Sequence, residues 1–514
     1  MHSKAEFTEA KMLAKGAGLV FVGLVLGRLL GYLTRLVAAR YLGPSGYGLL
    51  ILGFSLFSIV SVIGLLGLQG GMIRFSSEFS GKNQRGKIRP MAYYSIKISV
   101  PLSGLIAIAM FFSADYISEV FFHTKELAGI LRIFSLALPF SAAAGIFLGV
   151  IMGMKFPKYR VYAEDISKPG SRLVFLAFAV FFGLGLVGAG VSYALSFAVA
   201  MVAGIYFFNK LAREKTGLSP KEKKSILSYS WPIMMSSIVF IIMAQINSLL
   251  LGYLKAASDV GVYNAAVPTA DMMIMLPVSI MALFLPVISE LYGKKNLDEV
   301  KRLYAKVVKW VLIATFPLFL IFIIFPAQIL TMLFGLEYSS GSVALAILSI
   351  GYFISVALYP SNDAINLFKK TKVHFYISVI AVLLNTSLGY ILIQLYGLIG
   401  AAIATTVTYA FIGLSTAYVA YKLGLSPYSK SACKVLASGA FVFAGFFLIS
   451  LLFPAGLLAS VAEITLLIGC YFTLVLVSGV FDAEDIAVIE AVERKLKIKS
   501  MPFSRAGRKF VGRQ

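Results

Sequence analysis

The sequence predicts an all-α polytopic membrane protein of fourteen transmembrane helices: two parallel six-helix lobes followed by two extra C-terminal helices. Three observations predict it. Of 514 residues, 59% are hydrophobic and only 13% charged, with a mean hydropathy of +0.88, a balance no soluble surface of this size sustains. Fourteen apolar stretches are long enough to cross a bilayer core of roughly 30 Å, which takes roughly 20 helical residues. The chain also repeats itself at a fixed offset.

The spans start near residues 15, 46, 91, 128, 163, 186, 229, 260, 307, 341, 375, 399, 434 and 458 and are numbered 1 to 14 in that order. The basic segment before span 1 (Lys4, Lys11, Lys15) leads into an apolar run too long and too interrupted by arginine for a cleaved signal peptide, so it reads as the first permanent span. Short turns such as LGPSG (42–46), GLGL (183–186) and FPAGL (453–457) alternate with longer basic connections. Thirty-eight of the 46 Lys and Arg lie in the termini and the long connections, two (Lys125 and Lys255) lie on the opposite side, and six lie in or at the edge of spans. By the positive-inside rule both termini are cytoplasmic, and the formal net charge of +23 is a topology signal that excludes a nucleic-acid partner.

The repeat has a period of 212 residues: YL at 41–42 recurs at 253–254, SEFSGKN at 77–83 as SELYGKKN at 289–296, and GLVGAGVS at 185–192 as GLIGAAIA at 397–404. Six spans return the chain to the same side, so the copies are parallel, related by an axis along the membrane normal. The organisation that follows is an N-lobe at 1–211, a cytoplasmic linker at 212–228, a C-lobe at 229–424, spans 13 and 14 within 425–481, and an amphipathic tail at 482–514 that starts acidic, ends basic and suits the anionic inner leaflet. Two like lobes leave a central crevice that rocking exposes to each side in turn, the architecture of a transporter. Cys433 and Cys470 are too far apart in topology for a disulfide, and His2, His123 and His374 show no metal-ligand spacing, so neither a metal nor a cofactor is expected.

The stretches RLVAARYLGPSGYGLL (35–50), GVYNAA (261–266), LPVISELYGKKN (285–296) and KKTKVHFYISVIAVLLNTSLGYILIQLYGLIGAAIATTVTY (369–409) resemble the polysaccharide and lipid-linked oligosaccharide flippases of the multidrug/oligosaccharidyl-lipid/polysaccharide exporter superfamily, across nearly the whole chain. The resemblance implies a V-shaped pair of lobes, a cavity lined by spans 1, 2, 7 and 8, and export of a polyprenyl-phosphate-linked sugar. Its partners would be that lipid-linked oligosaccharide, the surrounding lipids and glycan-assembly enzymes, with the protein acting as a monomer in the cell membrane. This chain departs from the family where an acidic and a basic residue often adjoin in span 7 and Asn247 and Ser248 stand here.

Charges inside spans mark the candidate site. Arg28 and Arg35, seven apart, share one helical face about 10 Å apart along the axis, while Gly23, Gly27 and Gly31 make a row on a neighbouring face for another helix to approach. Arg28 lies about 20 Å along the helix from Lys15, too deep to reach the surface, and a charge there costs roughly 3 kcal/mol unless it faces protein or water. It is expected to grip the phosphates of the substrate with paired donors. Arg35 and Arg40 either do the same or snorkel to outer headgroups. The counterpart of Arg35 in the second copy is Asn247, so the basic character belongs to the first lobe. Span 5 leaves only about 15 residues beyond Pro169, drawing Lys168 and Arg172 into the membrane on a face shared with Glu164 and Asp165, either as an intrahelical ion-pair row or as substrate ligands. Lys97 and Arg132 lie near membrane edges and are secondary cavity candidates. Asp271 and Asp363, the deep acids, either carry a coupling H+ or Na+ or pair with a cation such as Arg28. Gln245 and Asn247 are donors suited to sugar hydroxyls or to bonds between helices.

The function that follows is a flippase rather than an enzyme. A cation-coupled multidrug exporter would carry acids where Arg28 and Arg35 stand, and a membrane glycosyltransferase needs a carboxylate or histidine constellation that is absent here.

Overall fold

A computed structural model describes residues 2–482 apart from 213, 215, 428 and 453–456, together with residue 485. The described residues are almost all helical, with no strand, and twelve helices among them are long and apolar enough to cross a membrane. Two of the expected spans do not appear among the twelve as helices of their own. Spans 1 and 2 run together in His2–Leu65, divided by a kink where Gly43 takes φ 66° and ψ 177° and Pro44, lacking an N–H, starts the second half. Span 5 is helical from Pro157 to Phe181 but in pieces: Pro157–Arg160, a wide π-helical turn over Val161–Ser167, and Lys168–Phe181. The turn at 453–456 and the basic tail beyond residue 485 lie outside the described residues.

The helices gather into two units, Met1–Ala265 with Asn385–Ala401, and Ala266–Leu384 with Ala402–Gln514. In the first, span 4 (Glu126–Gly153) is the hub. Its Phe147 and Val150 join Leu68, Met72, Ile88, Met91, Phe208 and Ile226 in one buried cluster. Span 7 (Pro220–Leu254) belongs to this unit because small residues let backbones touch: a Cβ on Gly67 would meet the Ser230 carbonyl at 2.3 Å. The start of span 8 follows, a Cβ on its Gly261 meeting the Pro44 carbonyl at 2.0 Å. Ser219 and Glu222 cap its start reciprocally.

In the second unit the hub is span 9 (Leu297–Ile324). Phe316 stacks on Tyr471 at 5.7 Å, and a Cβ on Gly439 would meet the Phe316 ring at 2.2 Å, which ties spans 13 and 14 to it. Both cysteines are free.

A candidate anion-binding cavity in the first unit

A cavity of about 310 Å³ lies between spans 1, 2 and 5, lined by Leu24, Gly27, Arg28, Phe54, Glu164, Asp165, Lys168, Pro169 and Arg172. Its geometry starts with glycine. A Cβ on Gly23 would meet Val161 at 2.0 Å and one on Gly27 the Asp165 carbonyl at 2.4 Å, so span 1 lies directly against the π turn of span 5. Gly31, the third of the row, has nothing within 4 Å. The close pass sets Arg28, one residue on, beside the charged end of span 5. Replacing Gly27 with alanine pushes a methyl into backbone and is expected to cost about 1–3 kcal/mol. A lowered thermal midpoint in detergent checks this, with Gly31→Ala as the unaffected control.

The cations of span 5 rest on the aromatic face of span 6 (Gly185–Leu211) instead of on carboxylates. The Arg172 guanidinium lies 4.1 Å over Tyr193 and 5.8 Å from both Phe54 and Phe197, and its Nε and Nη2 each donate to Ser196 Oγ at 3.2 Å. Lys168 Nζ sits 4.4 Å over Phe197. Such cation–π seats hold the groups in place without a salt bridge, while Glu164 and Asp165 act on Lys168 from a distance. Of the expected ion-pair row, only Glu164 is engaged, and by Arg160 at 2.8 Å, a residue on the other side of the row. Among the described residues neither Arg28, Arg35, Lys168 nor Arg172 forms a salt bridge. The half-buried Arg35 acts electrostatically on Arg172, so it extends the same positive field.

The other candidates lie elsewhere. Lys97 is exposed on span 3, and Arg132 pairs with Asp115 beside the Phe111 ring, so neither lines the cavity. Gln245 accepts from Ser55 Oγ at 2.8 Å. The buried Asn247 donates to Asn385 Oδ1 at 3.0 Å and to Tyr263 at 3.5 Å. Both therefore serve bonds between helices in this structure. Asp271 and Asp363 belong to the second unit. Sequence reasoning missed Tyr193, Ser196 and Phe197; their i, i+3, i+4 spacing opposite Lys168 and Arg172 is the signal, hidden because YALSF reads as ordinary apolar helix.

The sequence pattern of the family described as polysaccharide biosynthesis protein matches residues 13–292, more than half of the chain. The chain belongs to that family. The pattern of the MatE family matches residues 232–391. This polysaccharide biosynthesis family member is 23% identical over 411 residues to an uncharacterized membrane protein of Methanocaldococcus jannaschii, covering 77% of this chain and 81% of that one. It is 24% identical over 404 residues to the "Probable flippase AglR" of Haloferax volcanii, covering 76% and 80%. Among solved structures its fold matches that of the lipid II flippase MurJ in an inward closed conformation, with a TM-score of 0.73 at 17% identity over 93% of this chain and 99% of that one. It also matches an inward-facing multidrug resistance MATE family transporter of the MOP superfamily, with a TM-score of 0.64 at 17% identity over 79% and 98%. The family membership and the helical membrane fold are as the sequence predicted.

Proposed function

We propose that this chain is a transporter that flips a polyprenyl-(pyro)phosphate-linked oligosaccharide from the cytoplasmic to the outer leaflet by alternating access. The observation that carries the reading is the set of cations without a salt bridge, Arg28, Lys168 and Arg172, on one cavity. Three cations face two acids there, and Arg160 already engages one of those acids. An anionic head gains charge-assisted hydrogen bonds of about 1.5–3 kcal/mol each at such a site, where a cationic drug meets repulsion. The name of AglR supports a flippase, and that of the lipid II flippase MurJ supports the same substrate class.

The glycan head crosses through the cavity while the polyprenyl tail stays in lipid. No covalent bond changes, so the protein acts without cofactor or catalysis. Coupling to H+ or Na+ through Asp271 or Asp363 fits the reading, as do cytoplasmic termini and a monomer handing its substrate to glycan-assembly enzymes.

Reconstitution tests the proposal. Proteoliposomes holding the purified protein and a fluorescent polyprenyl-pyrophosphate oligosaccharide should expose the glycan to an external glycosidase, and Arg172→Ala combined with Lys168→Ala should cut the rate at least tenfold. Undiminished movement by that variant, or uptake of a cationic dye in place of the glycolipid, overturns it.

A further inference from the structure

Phosphate binding leaves the Asp165 carboxylate without a task. It sits in the π turn Val161–Ser167, and its Cβ is 3.1 Å from where a Cβ on Gly27 would stand, so it enters the cavity next to Arg28. The residue is half-buried and lines the cavity, and its Oδ2 has no hydrogen-bond partner among the described residues. The surrounding cations do not supply one: Arg160 bonds Glu164, Lys168 lies on Phe197 and Arg172 bonds Ser196. The charges of Arg160 and Lys168 attract it and that of Glu164 repels it from a distance. An ionised carboxylate only accepts hydrogen bonds, and leaving one of its oxygens without a donor in a half-buried site is costly.

A bare phosphate bound by the three cations would meet this carboxylate as a like charge. A ligand with a hydroxyl or amide N–H next to its phosphate would satisfy both, and a sugar bearing a phosphate on its anomeric carbon has that chemistry. Resting on the flippase reading above, we infer that Asp165 reads the first sugar of the head group, accepting a hydrogen bond from a hydroxyl or acylamino group beside the phosphate. The cavity then takes a glycosylated phosphate and turns away bare phosphate, bare pyrophosphate and the carrier lipid without its glycan. The discrimination combines a bond to the right ligand with repulsion of the wrong one.

Titration calorimetry on the full chain in detergent tests this with two probes of equal charge, glucose 1-phosphate and methyl phosphate. The wild type should prefer glucose 1-phosphate by about tenfold, the scale of one charge-assisted hydrogen bond. Asp165→Ala should erase the preference by weakening the sugar phosphate and tightening methyl phosphate. Asp165→Asn, neutral and still an acceptor, should tighten methyl phosphate while keeping part of the sugar preference, and it serves where the alanine variant fails to fold. An undiminished preference in the variants, with binding still lost in Arg172→Ala, overturns the role of Asp165 and leaves the anion site intact. Absence of binding to either probe by the wild type, or binding indifferent to Arg172→Ala, overturns the anion site and this inference with it.

Discussion

Arg28→Glu is expected to abolish glycolipid movement while the protein inserts and folds as the wild type does. Arg28 is exposed to the cavity and forms no salt bridge among the described residues, so its loss orphans no partner. On the proposed flippase reading its charge would attract the anionic head. At 4 Å a unit pair is worth about 1 kcal/mol in water and about 4 kcal/mol at an effective dielectric of about 20, and reversal replaces attraction with repulsion of the same size. The change therefore lies between about 2 and 8 kcal/mol per phosphate charge, and at 1.4 kcal/mol per factor of ten even the lower bound is more than tenfold in affinity. Arg28→Lys keeps the charge but loses the paired donors and should retain partial activity. Transport in proteoliposomes, with membrane insertion checked by protease protection, measures both. A correctly inserted Arg28→Glu protein that transports normally removes Arg28 from the site.

The reason Arg28 could be singled out from sequence alone is that a guanidinium deep in an apolar run is costly, so its presence asks for an explanation. The glycine row pointed to a close helix neighbour, and Gly23 and Gly27 have one in the π turn of span 5. The identity of that neighbour was not legible, because spacing within one helix carries no information on which other helix fills the row. The same limit applies to Lys168 and Arg172. Their fourfold spacing with Glu164 suggests pairing along the helix, yet the π turn widens the register there, and the rings of Tyr193 and Phe197 on span 6 take the cations instead. Gln245 and Asn247 illustrate the opposite case: polar side chains in a span suit sugar hydroxyls or, more commonly, another helix, and in this structure they bond Ser55 and Asn385. Span 1 and span 2 fuse because a glycine at positive φ and a proline turn the chain without leaving helical geometry on either side, a detail that a hydropathy scan reads as a loop.

Lys309 shows the same limit at the second unit, where a lysine near the basic start of span 9 proves to be buried. Only 4% of its side chain is exposed, and Asp485, with which it pairs, is 2% exposed. Asp482 Oδ2 lies 3.4 Å from Lys309 Nζ, and Trp310 Nε1 donates to Asp485 Oδ1 at 3.0 Å. The two aspartates also brace each other, the Asp482 amide donating to Asp485 Oδ2 at 2.8 Å and the Asp485 amide to Asp482 Oδ1 at 2.9 Å. Burial tends to raise the Asp482 carboxyl, but the Asp485 amide and the Lys309 charge outweigh it and hold the group below the usual carboxylate range. Its contribution to stability is therefore complete above about pH 4, the unfolded value, and is lost as the pH falls through the lower folded one. Removing Lys309 strands the Asp485 charge among buried groups, and breaking such a pair from one side costs about 3–5 kcal/mol. Lys309→Ala should thus lower the thermal midpoint in detergent more than any of the cavity variants, with Trp310 fluorescence as a local reporter. The double variant Lys309→Met with Asp485→Leu should recover most of the loss, since an apolar pair of similar volume carries no desolvated charge. A Lys309→Ala protein as stable as the wild type, or a double variant no better than the single one, shows that the ion pair does not hold the end of span 14 to span 9.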